Sequence, residues 1–360
     1  MDRIAGSLFG LAFGDALGKP TEFLDVAEID RRFGPAGPND LTGDPALVTD
    51  DTQMALAVAW ALAGVDRYTA EVLEPRLREQ FVGWAHSPKN NRAPGMTCLR
   101  ACGGLAEGLP WVEATVAGSK GCGANMRVTP VGLLPGLDLD VLAGVSQLQA
   151  AMTHGHPTAL AASELTAYAT RLLVDGLAMA DVPAALLRRC TERRSVYLED
   201  WLGTLWATPG ATTPADFIAR GWDECAAVVE QLIAALASPD DGLDACLATG
   251  AGWIAEEALV TGLYCAVRHA DDPVACLVRA ARTSGDSDSI AALAGAFAGA
   301  AHGLAAWPAD WVERIEYAEQ LGAVVSGRVS SVPPPWDLVP VATTDRSRTQ
   351  LSTADRMRGL

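Results

Sequence analysis

The sequence is poor in positive charge. Its 360 residues include 27 lysines and arginines against 44 aspartates and glutamates, and the formal net charge is −17. A chain with this balance has no broad basic surface for a nucleic-acid backbone, although it can still contain a small local anion pocket. We therefore expect no extended nucleic-acid interface.

Cysteine patterns that hold zinc or form disulfide frameworks are also missing. The eight cysteines are scattered, none stands in a Cys-x-x-Cys pair, and no group of Cys and His has zinc-ligand spacing. Scattered cysteines in a long chain are typical of reduced core residues. They favour a cytoplasmic protein.

Segments that would target the chain to a membrane are not recognisable either. The apolar stretch 4–13 lacks a strongly basic flank and runs directly into Gly14-Asp15, so we do not interpret it as a signal peptide. The run 290–306 consists mainly of alanine and glycine, which indicates a buried helix rather than a membrane span. We expect no membrane partner, and no pattern indicates an oligomeric state.

Alternating apolar patterns typical of strands are absent, as are Gly/Ser linkers and internal repeats. The predicted class is therefore all-α, with one compact multi-helix domain over residues 1–336. A flexible polar tail is predicted for residues 337–360. Helices are predicted at residues 3–18, 49–62, 70–86, 97–107, 140–152, 158–180, 182–194, 213–237, 253–268, 271–282 and 290–306, and residues 25–48 are predicted as a loop region.

Two acidic segments stand at the start of predicted helices. Thr49-Asp50-Asp51-Thr52 opens one apolar run, and Thr283-Ser284-Gly285-Asp286-Ser287-Asp288-Ser289 precedes another. N-capping explains either segment alone, because Ser, Thr and Asp side chains accept hydrogen bonds from free N–H groups at a helix start. Taken together, the two segments offer only oxygen ligands, which Mg²⁺ and Mn²⁺ prefer. Carboxylates gathered without cations would repel one another, whereas two metal ions would neutralise them and could orient substrate hydroxyls.

Three further features carry weaker signals. Gly6, Gly10, Gly14 and Gly18 recur every four residues and predict a helix face that another helix approaches closely, while Asp15 on this apolar helix needs a partner. The glycines of Gly121-Cys122-Gly123 can bring N–H groups to an anion, but such a pattern alone is more typical of a turn. His154 and His156 lack helical spacing, so we expect them to contact a ligand or cap a helix rather than bind metal.

Five segments follow one another in a characteristic order: Gly14-Asp15-Ala16-Leu17-Gly18, Thr49-Asp50-Asp51-Thr52-Gln53-Met54, Gly121-Cys122-Gly123-Ala124-Asn125-Met126-Arg127, Thr153-His154 and Gly285-Asp286-Ser287-Asp288-Ser289-Ile290. This series resembles the motifs of the ADP-ribosylglycohydrolases, relatives of the dinitrogenase-reductase-activating glycohydrolase, over residues 3–325. The resemblance implies an all-helical fold of that type and a site for two Mg²⁺ or Mn²⁺ ions. It also implies hydrolysis of the bond between the anomeric ribose carbon of ADP-ribose and a nitrogen or oxygen acceptor.

The resemblance further implies a role for individual residues. One ion would be held by Thr49, Asp50 and Asp51 and the other by Asp286 and Ser289, with Asp288 bridging the two. Glu22 matches a family glutamate near the metals that gates the site or acts on water, and the catalytic residues implied are Glu22 and Asp288. A carboxylate close to the metals would deprotonate the attacking water. The predicted substrate contacts are the diphosphate loop, formed by Gly121, Cys122, Gly123, Ala124, Asn125 and Met126, together with His154 and a base-stacking Trp253.

Two features depart from the family pattern. Cys122 and Asn125 occupy positions where many members have Asn and a small residue, and both lie in the predicted diphosphate loop. Ala93-Pro94-Gly95 stands where arginine-specific members have Asp-x-Gly, which argues against arginine as the acceptor. Two alternatives are open at this point: a two-metal phosphoesterase acting on a nucleotide-like substrate, and a non-catalytic ADP-ribose-binding relative.

Overall fold

A computed structural model describes residues 1–338 except Pro209 and Asp241, and the described residues form helices but no sheet. Across them, no helix combines the length and the apolar character needed to cross a bilayer. The helices are α1 (Asp2–Gly18), α2 (Val26–Phe33), α3 (Asp50–Leu62), α4 (Ala70–His86), α5 (Met96–Ala106), α6 (Trp111–Ala114), α7 (Thr129–Gly132), α8 (Leu139–Ala151), α9 (Pro157–Val174), α10 (Val182–Arg193), α11 (Glu199–Leu202), α12 (Pro214–Ala237), α13 (Ala245–Thr249), α14 (Ala255–Arg268), α15 (Pro273–Ala281), α16 (Ser287–His302), α17 (Ala309–Arg314) and α18 (Ala318–Val325).

The all-α prediction is confirmed, and the deviations from it have local causes. Helix α9 ends at Val174 rather than residue 180, because Gly176 adopts a φ of +100° that a right-handed helix excludes. Helix α16 ends at His302, before Gly303 with a φ of +86°. Residues 25–48 are not loop throughout, since α2 starts where the Asp25 side chain accepts a hydrogen bond from the N–H of Glu28. Of the predicted tail, only residues 337 and 338 lie among the described residues.

The centre of the molecule is an antiparallel pair formed by α1 and α16. The glycines at every fourth position of α1 face the backbone of α16, so a side chain on Gly14 would overlap the carbonyl oxygen of Ala291. At the far end of the same stripe, a side chain on Gly18 would overlap Ser287. The prediction of a close helix approach is therefore confirmed. Because the helices are antiparallel, the last turn of α1 meets the first turn of α16.

Two isolated β-bridges hold the segment around Gly121 in place beside α9 and α14. Val116 pairs with His154 in a parallel bridge, and Gly121 pairs with Ile254 in an antiparallel one. These pairings tie the segment before α7 to the starts of α9 and α14. The segment 121–126 is thereby fixed beside the mouth of α16.

Candidate metal and substrate site

Asp15 on α1 connects helix α3 to the α1–α16 pair. Its buried carboxylate accepts hydrogen bonds from the backbone N–H groups of Thr49 at 2.8 Å and Thr52 at 3.0 Å. These are free N–H groups at the start of α3, so Asp15 caps a helix other than its own. This contact supplies the partner that the sequence required for Asp15, and it brings Asp50 and Asp51 to the mouth of α16.

The predicted acidic residues converge on one buried pocket. One carboxylate oxygen from each of Glu22, Asp286 and Asp288 lies within 4.8 Å of the other two. Asp50 and Asp51 are close enough that the charge of Asp288 raises both of their pKa values. The structure therefore brings together carboxylates from α3, from the mouth of α16 and from the turn after α1.

Burial and mutual repulsion make these carboxylates reluctant to ionise. Burial, followed by the charge of Asp288, raises the pKa of Asp50 to about 8 and that of Glu22 to about 9. The same two causes raise the pKa of Asp15 to about 7 and lift those of Asp51 and Asp286 well above their usual range. Burial also raises the pKa of Asp288 itself. Groups with this preference need protons or cations nearby.

Side-chain cations do not provide that compensation. Within the described residues, none of these six carboxylates forms an ion pair with lysine, arginine or histidine. The buried Oδ2 atom of Asp51 has no hydrogen-bond partner in the part of the chain that the structure describes. Hard divalent cations bind oxygen ligands, and this cluster offers only oxygen donors, one of them a carboxylate oxygen without a hydrogen-bond partner.

N-capping does not account for the acids at α16. Asp286 stands at the N-cap position, yet its side chain accepts no capping hydrogen bond. At α3 the cap is Thr49, whose hydroxyl oxygen accepts from the N–H of Asp51 at 3.3 Å, while Asp50 and Asp51 follow inside the helix. Ser289 lies in the first turn of α16, and its N–H donates to Asp288 at 3.0 Å. The N-capping interpretation thus fails for Asp286 and holds for Thr49.

The predicted diphosphate loop borders this pocket. Burial raises the pKa of the Cys122 thiol, and the charges of Asp286 and Asp51 raise it further, so the two sites adjoin. A single 3₁₀ turn spans Cys122–Ala124. Its geometry limits the predicted backbone cradle, because the N–H groups of Cys122, Asn125 and Met126 already donate to carbonyl groups of the protein. The N–H of Gly121 likewise donates to Ser119 Oγ at 3.4 Å, so the cradle narrows to the N–H groups of Gly123 and Ala124.

His154 lies directly beneath this loop. Its side chain is almost fully buried, and a side chain on either Gly121 or Gly123 would contact its Nε2 atom at 3.4 Å. Burial and the charge of Arg127 lower the pKa of His154 to about 3, so the ring is neutral. His156 is separate from the loop and caps α9, where its Nδ1 atom accepts from the N–H of Thr158 at 3.2 Å. The expected capping role is thus confirmed for His156.

Trp253 stands at the rim of the pocket, just before α14. Its carbonyl oxygen accepts a hydrogen bond from the N–H of Cys122 at 3.1 Å, and the residue is 42% exposed. The ring stacks on Phe23, with centroids 5.5 Å apart and an interplanar angle of 16°. Phe23 follows Glu22 and has a left-handed φ of +64°. An exposed aromatic pair therefore spans from the acidic pocket to the diphosphate loop.

The loop between α4 and α5 approaches the pocket from a further side. The N–H of Gly95 donates to Asp50 Oδ2 at 3.3 Å. Arg92 is not available to a ligand, since its guanidinium pairs with Glu316 and donates to the carbonyl oxygen of Val48. The segment 87–95 contains no carboxylate, so it brings a backbone donor but no acid to the site.

Sequence reasoning overlooked three contributors. Phe23 carries no motif, and its role depends on a left-handed backbone at a non-glycine residue. Arg127 stands inside a quoted motif, but nothing local indicates that it is completely buried. Glu256 looks like an ordinary first-turn acid, yet it is buried and pairs with Lys120, immediately before the diphosphate loop.

Comparisons with known proteins agree with this geometry. A family model described as ADP-ribosylglycohydrolase matches residues 1–337. The ADP-ribosyl-[dinitrogen reductase] glycohydrolase of Rhodospirillum rubrum is 26% identical over 88% of this chain and 90% of its own length. The ADP-ribosylarginine hydrolase Tri1 of Pseudomonas putida (strain GB-1) is 25% identical over 89% of this chain and 76% of its own.

A similar fold is found among solved structures. An ADP-ribosylglycohydrolase-related protein complex superposes with a TM-score of 0.61 and 24% identity, over 91% of this chain and 97% of the matched chain. Because the family model matches residues 1–337, the chain belongs to the ADP-ribosylglycohydrolase family, whose members are enzymes that hydrolyse glycosyl bonds of ADP-ribose.

Proposed function

We propose that this enzyme uses two divalent metal ions, Mg²⁺ or Mn²⁺, to hydrolyse the bond between the anomeric carbon of ADP-ribose and an acceptor. The observation that carries the proposal is the buried group of carboxylates, which has no side-chain cation as partner in residues 1–338 as the structure describes them. Their ionised form is unstable alone, and cations would stabilise it. The ligand type favours hard ions over zinc, because no cysteine or histidine belongs to the cluster.

The donor set divides between two helices. Thr49, Asp50 and Asp51 at α3 would hold one ion, and Asp286 and Ser289 at α16 would hold the other, with Asp288 between them. When bound, such ions supply positive charge for the ribose hydroxyls and lower the pKa of a nearby water.

Glu22 is the residue we propose for proton transfer. It reaches the cluster from the turn after α1, and its carboxyl is half-buried at the pocket mouth. Its pKa of about 9 falls when neighbouring carboxylates are neutralised, because repulsion from Asp288 is a main cause of the shift. Positive charge develops on the anomeric carbon as the acceptor leaves with the electron pair of the broken bond. Glu22 can then accept a proton from the water that attacks this carbon, and a proton is returned to the acceptor.

The remaining residues would bind the ADP part of the substrate. The loop 121–126 and His154 face the diphosphate in this arrangement, and the Phe23–Trp253 pair offers an aromatic face for a base. One face of Trp253 is already covered by Phe23, so a base would stack on the outside of the pair or replace Phe23.

The acceptor group is argued from the loop between α4 and α5. Two relatives are named for ADP-ribosylated dinitrogen reductase and ADP-ribosylarginine. In this chain the segment 87–95 offers no carboxylate that could pair with a guanidinium. We propose an acceptor other than arginine, carried by an ADP-ribosylated partner. All eight cysteines are free, which supports a reducing, cytoplasmic setting.

The test is release of free ADP-ribose from a panel of substrates: ADP-ribosyl-arginine, ADP-ribosyl-serine, an ADP-ribosylated nucleobase and O-acetyl-ADP-ribose. We expect release with Mg²⁺ or Mn²⁺, no release in EDTA, and none from Asp288→Ala under any condition. AMP as the product would instead establish a phosphoesterase. Binding of ADP-ribose without metal binding or turnover would establish a non-catalytic protein.

A further inference from the structure

Arg127 is a buried cation without a carboxylate partner in the described part of the chain. It is completely inaccessible to solvent, and its guanidinium lies 4.3 Å from the ring centroid of Phe81. Its charge-bearing nitrogens donate to Gln149 Oε1 at 2.7 Å, to the Gln149 carbonyl oxygen at 2.6 Å and to Thr153 Oγ1 at 2.8 Å. Burying a charged guanidinium costs desolvation free energy, so we expect the hydrogen bonds of Arg127 to serve a function.

The first consequence concerns Gln149. A guanidinium can only donate hydrogen bonds, so the amide oxygen of Gln149 must face Arg127. The amide nitrogen then faces the other way and donates to the carbonyl oxygen of Ala124 at 3.0 Å. Arg127 thereby fixes the diphosphate loop from below.

The second consequence concerns the hydroxyl hydrogen of Thr153. Its oxygen accepts from Arg127, so the hydroxyl can donate either to His154 Nδ1 at 2.8 Å or to the carbonyl oxygen of Ala150 at 3.4 Å. That carbonyl oxygen already accepts the N–H groups of Thr153 at 3.0 Å and His154 at 2.8 Å, which occupy both of its lone pairs. The hydroxyl therefore donates to Nδ1.

A neutral imidazole that accepts at Nδ1 carries its proton on Nε2. The Nε2 atom faces Gly121 and Gly123 and has no hydrogen-bond partner among the described residues. We propose that Arg127 is a positioning residue that, through Thr153, holds His154 as a neutral Nε2–H donor aimed at the diphosphate of ADP-ribose. This proposal rests on the proposed function for the identity of the ligand.

The tautomer is measured directly by ¹⁵N NMR of histidine-labelled protein, which has only five histidines. We expect His154 in the wild type to carry its proton on Nε2. Thr153→Val, which removes the hydroxyl with little change in shape, should abolish this preference, and Thr153→Ser should restore it. Thr170→Val is the matched control, because it removes a buried hydroxyl that bonds only within α9.

Binding of ADP-ribose and of ADP, measured by calorimetry in the presence of Mg²⁺, provides the second readout. We expect Thr153→Val to bind both ligands about tenfold more weakly, the loss of one hydrogen bond to a charged group. Thr153→Ser and Thr170→Val should bind like the wild type. Arg127→Lys keeps the positive charge but loses the guanidinium that donates to Gln149 and Thr153 together. Folded Arg127→Lys should therefore match Thr153→Val in the His154 tautomer and in ligand affinity.

A wild-type His154 that is protonated on Nδ1, or a Thr153→Val variant with unchanged tautomer and affinity, would overturn the proposal. Failure of the proposed function gives a different pattern: the tautomer still depends on Thr153, while no variant and not even the wild type binds ADP-ribose. That pattern would overturn the diphosphate as the acceptor of the hydrogen bond.

Discussion

Asp288 dominates the electrostatics of the pocket at the level of single residues. After burial, its charge is the next cause of the raised pKa values of Glu22, Asp15, Asp50, Asp51 and Asp286. A central carboxylate of this kind destabilises a protein that lacks cations, and under the proposed function Asp288 would bind them. Its two effects have opposite signs and can be measured separately.

We predict that Asp288→Asn is at least as thermostable as the wild type in EDTA, because the substitution removes repulsion. Mg²⁺ at a hundredfold excess over Kd should stabilise the wild type by about 2.7 kcal/mol and thereby raise its melting temperature. It should leave Asp288→Asn unchanged. Differential scanning fluorimetry of both proteins measures this.

Asp30→Asn is the control for that comparison. Asp30 pairs with Arg282 through two hydrogen bonds and does not belong to the acidic pocket. This variant should respond to Mg²⁺ like the wild type. An equal Mg²⁺ response in Asp288→Asn would contradict the assignment of Asp288 as a ligand.

His154 predicts a dependence of stability on acid. Its pKa is about 3 in the native protein against about 6.5 in the unfolded chain, so the unfolded state takes up the proton first as pH falls. The contribution of His154 to the free energy of unfolding is complete above its pKa in the unfolded chain. It is lost as the pH falls towards its pKa in the native protein. Between pH 7.5 and pH 5 it amounts to about 2 kcal/mol.

His154→Gln removes this titration, so its free energy of unfolding should fall by about 2 kcal/mol less than that of the wild type over the same pH interval. Urea unfolding at pH 7.5 and pH 5 compares the two proteins. Equal losses in both would show that His154 becomes protonated in the native state.

At the scale of secondary structure, the site depends on two helices that touch through their backbones. The glycines of α1 leave no room between it and α16, and this contact sets the distance between Asp15 and the acids of α16. Helix α3 is added through hydrogen bonds from Thr49 and Thr52 to Asp15. The carboxylates at α3 and α16 are therefore positioned by helix packing rather than by flexible loops.

We predict that Gly14→Ala destabilises the protein by about 1–3 kcal/mol or more, because its methyl group would overlap the carbonyl oxygen of Ala291. The displaced helix should also lower the affinity for Mg²⁺. Gly103→Ala on α5 is the matched control, since no described atom other than those of its two chain neighbours and of its own helix backbone lies within 4 Å of the added carbon. It should be neutral or stabilising by about 0.5–1 kcal/mol. Similar melting temperatures for the two variants would contradict the close packing.

At the scale of the molecule, the proposed domain boundary near residue 336 can be tested through Trp336. Its ring is buried against Gly83, and its indole N–H donates to Gln80 at 3.3 Å. We predict that a chain ending at Leu338 melts like the full chain. A chain ending at Pro333, and the variant Trp336→Ala, should each lose about 3–5 kcal/mol. A large loss in the chain ending at Leu338 would move the boundary into the predicted tail.

The pocket could be predicted from sequence where its residues lie next to one another. Asp50 with Asp51, and Asp286 with Asp288, are visible as pairs at helix starts, and the glycine stripe of α1 follows directly from periodicity. The role of Asp15 was not predictable, because its partner Thr49 lies 34 positions away and is reached only after two helices have packed.

The orientation of His154 was equally hidden. It depends on a guanidinium that lies 26 positions from its acceptor Thr153, and on a carbonyl group whose lone pairs are already filled. The left-handed backbone of Phe23 likewise has no signal in a non-glycine residue. Long-range hydrogen bonds and unusual dihedral angles of this kind are not specified by local composition.

The contact between α1 and α16 also sets an order of events during synthesis. Helices α2 to α15 lie between α1 and α16 in the sequence, so the glycines of α1 meet α16 only after all of these helices have been made. At roughly 5–20 residues per second, the first helix waits on the order of tens of seconds for its partner. Each newly made molecule therefore acquires its full set of carboxylates late, and a cell that induces this protein gains hydrolytic capacity only after that delay.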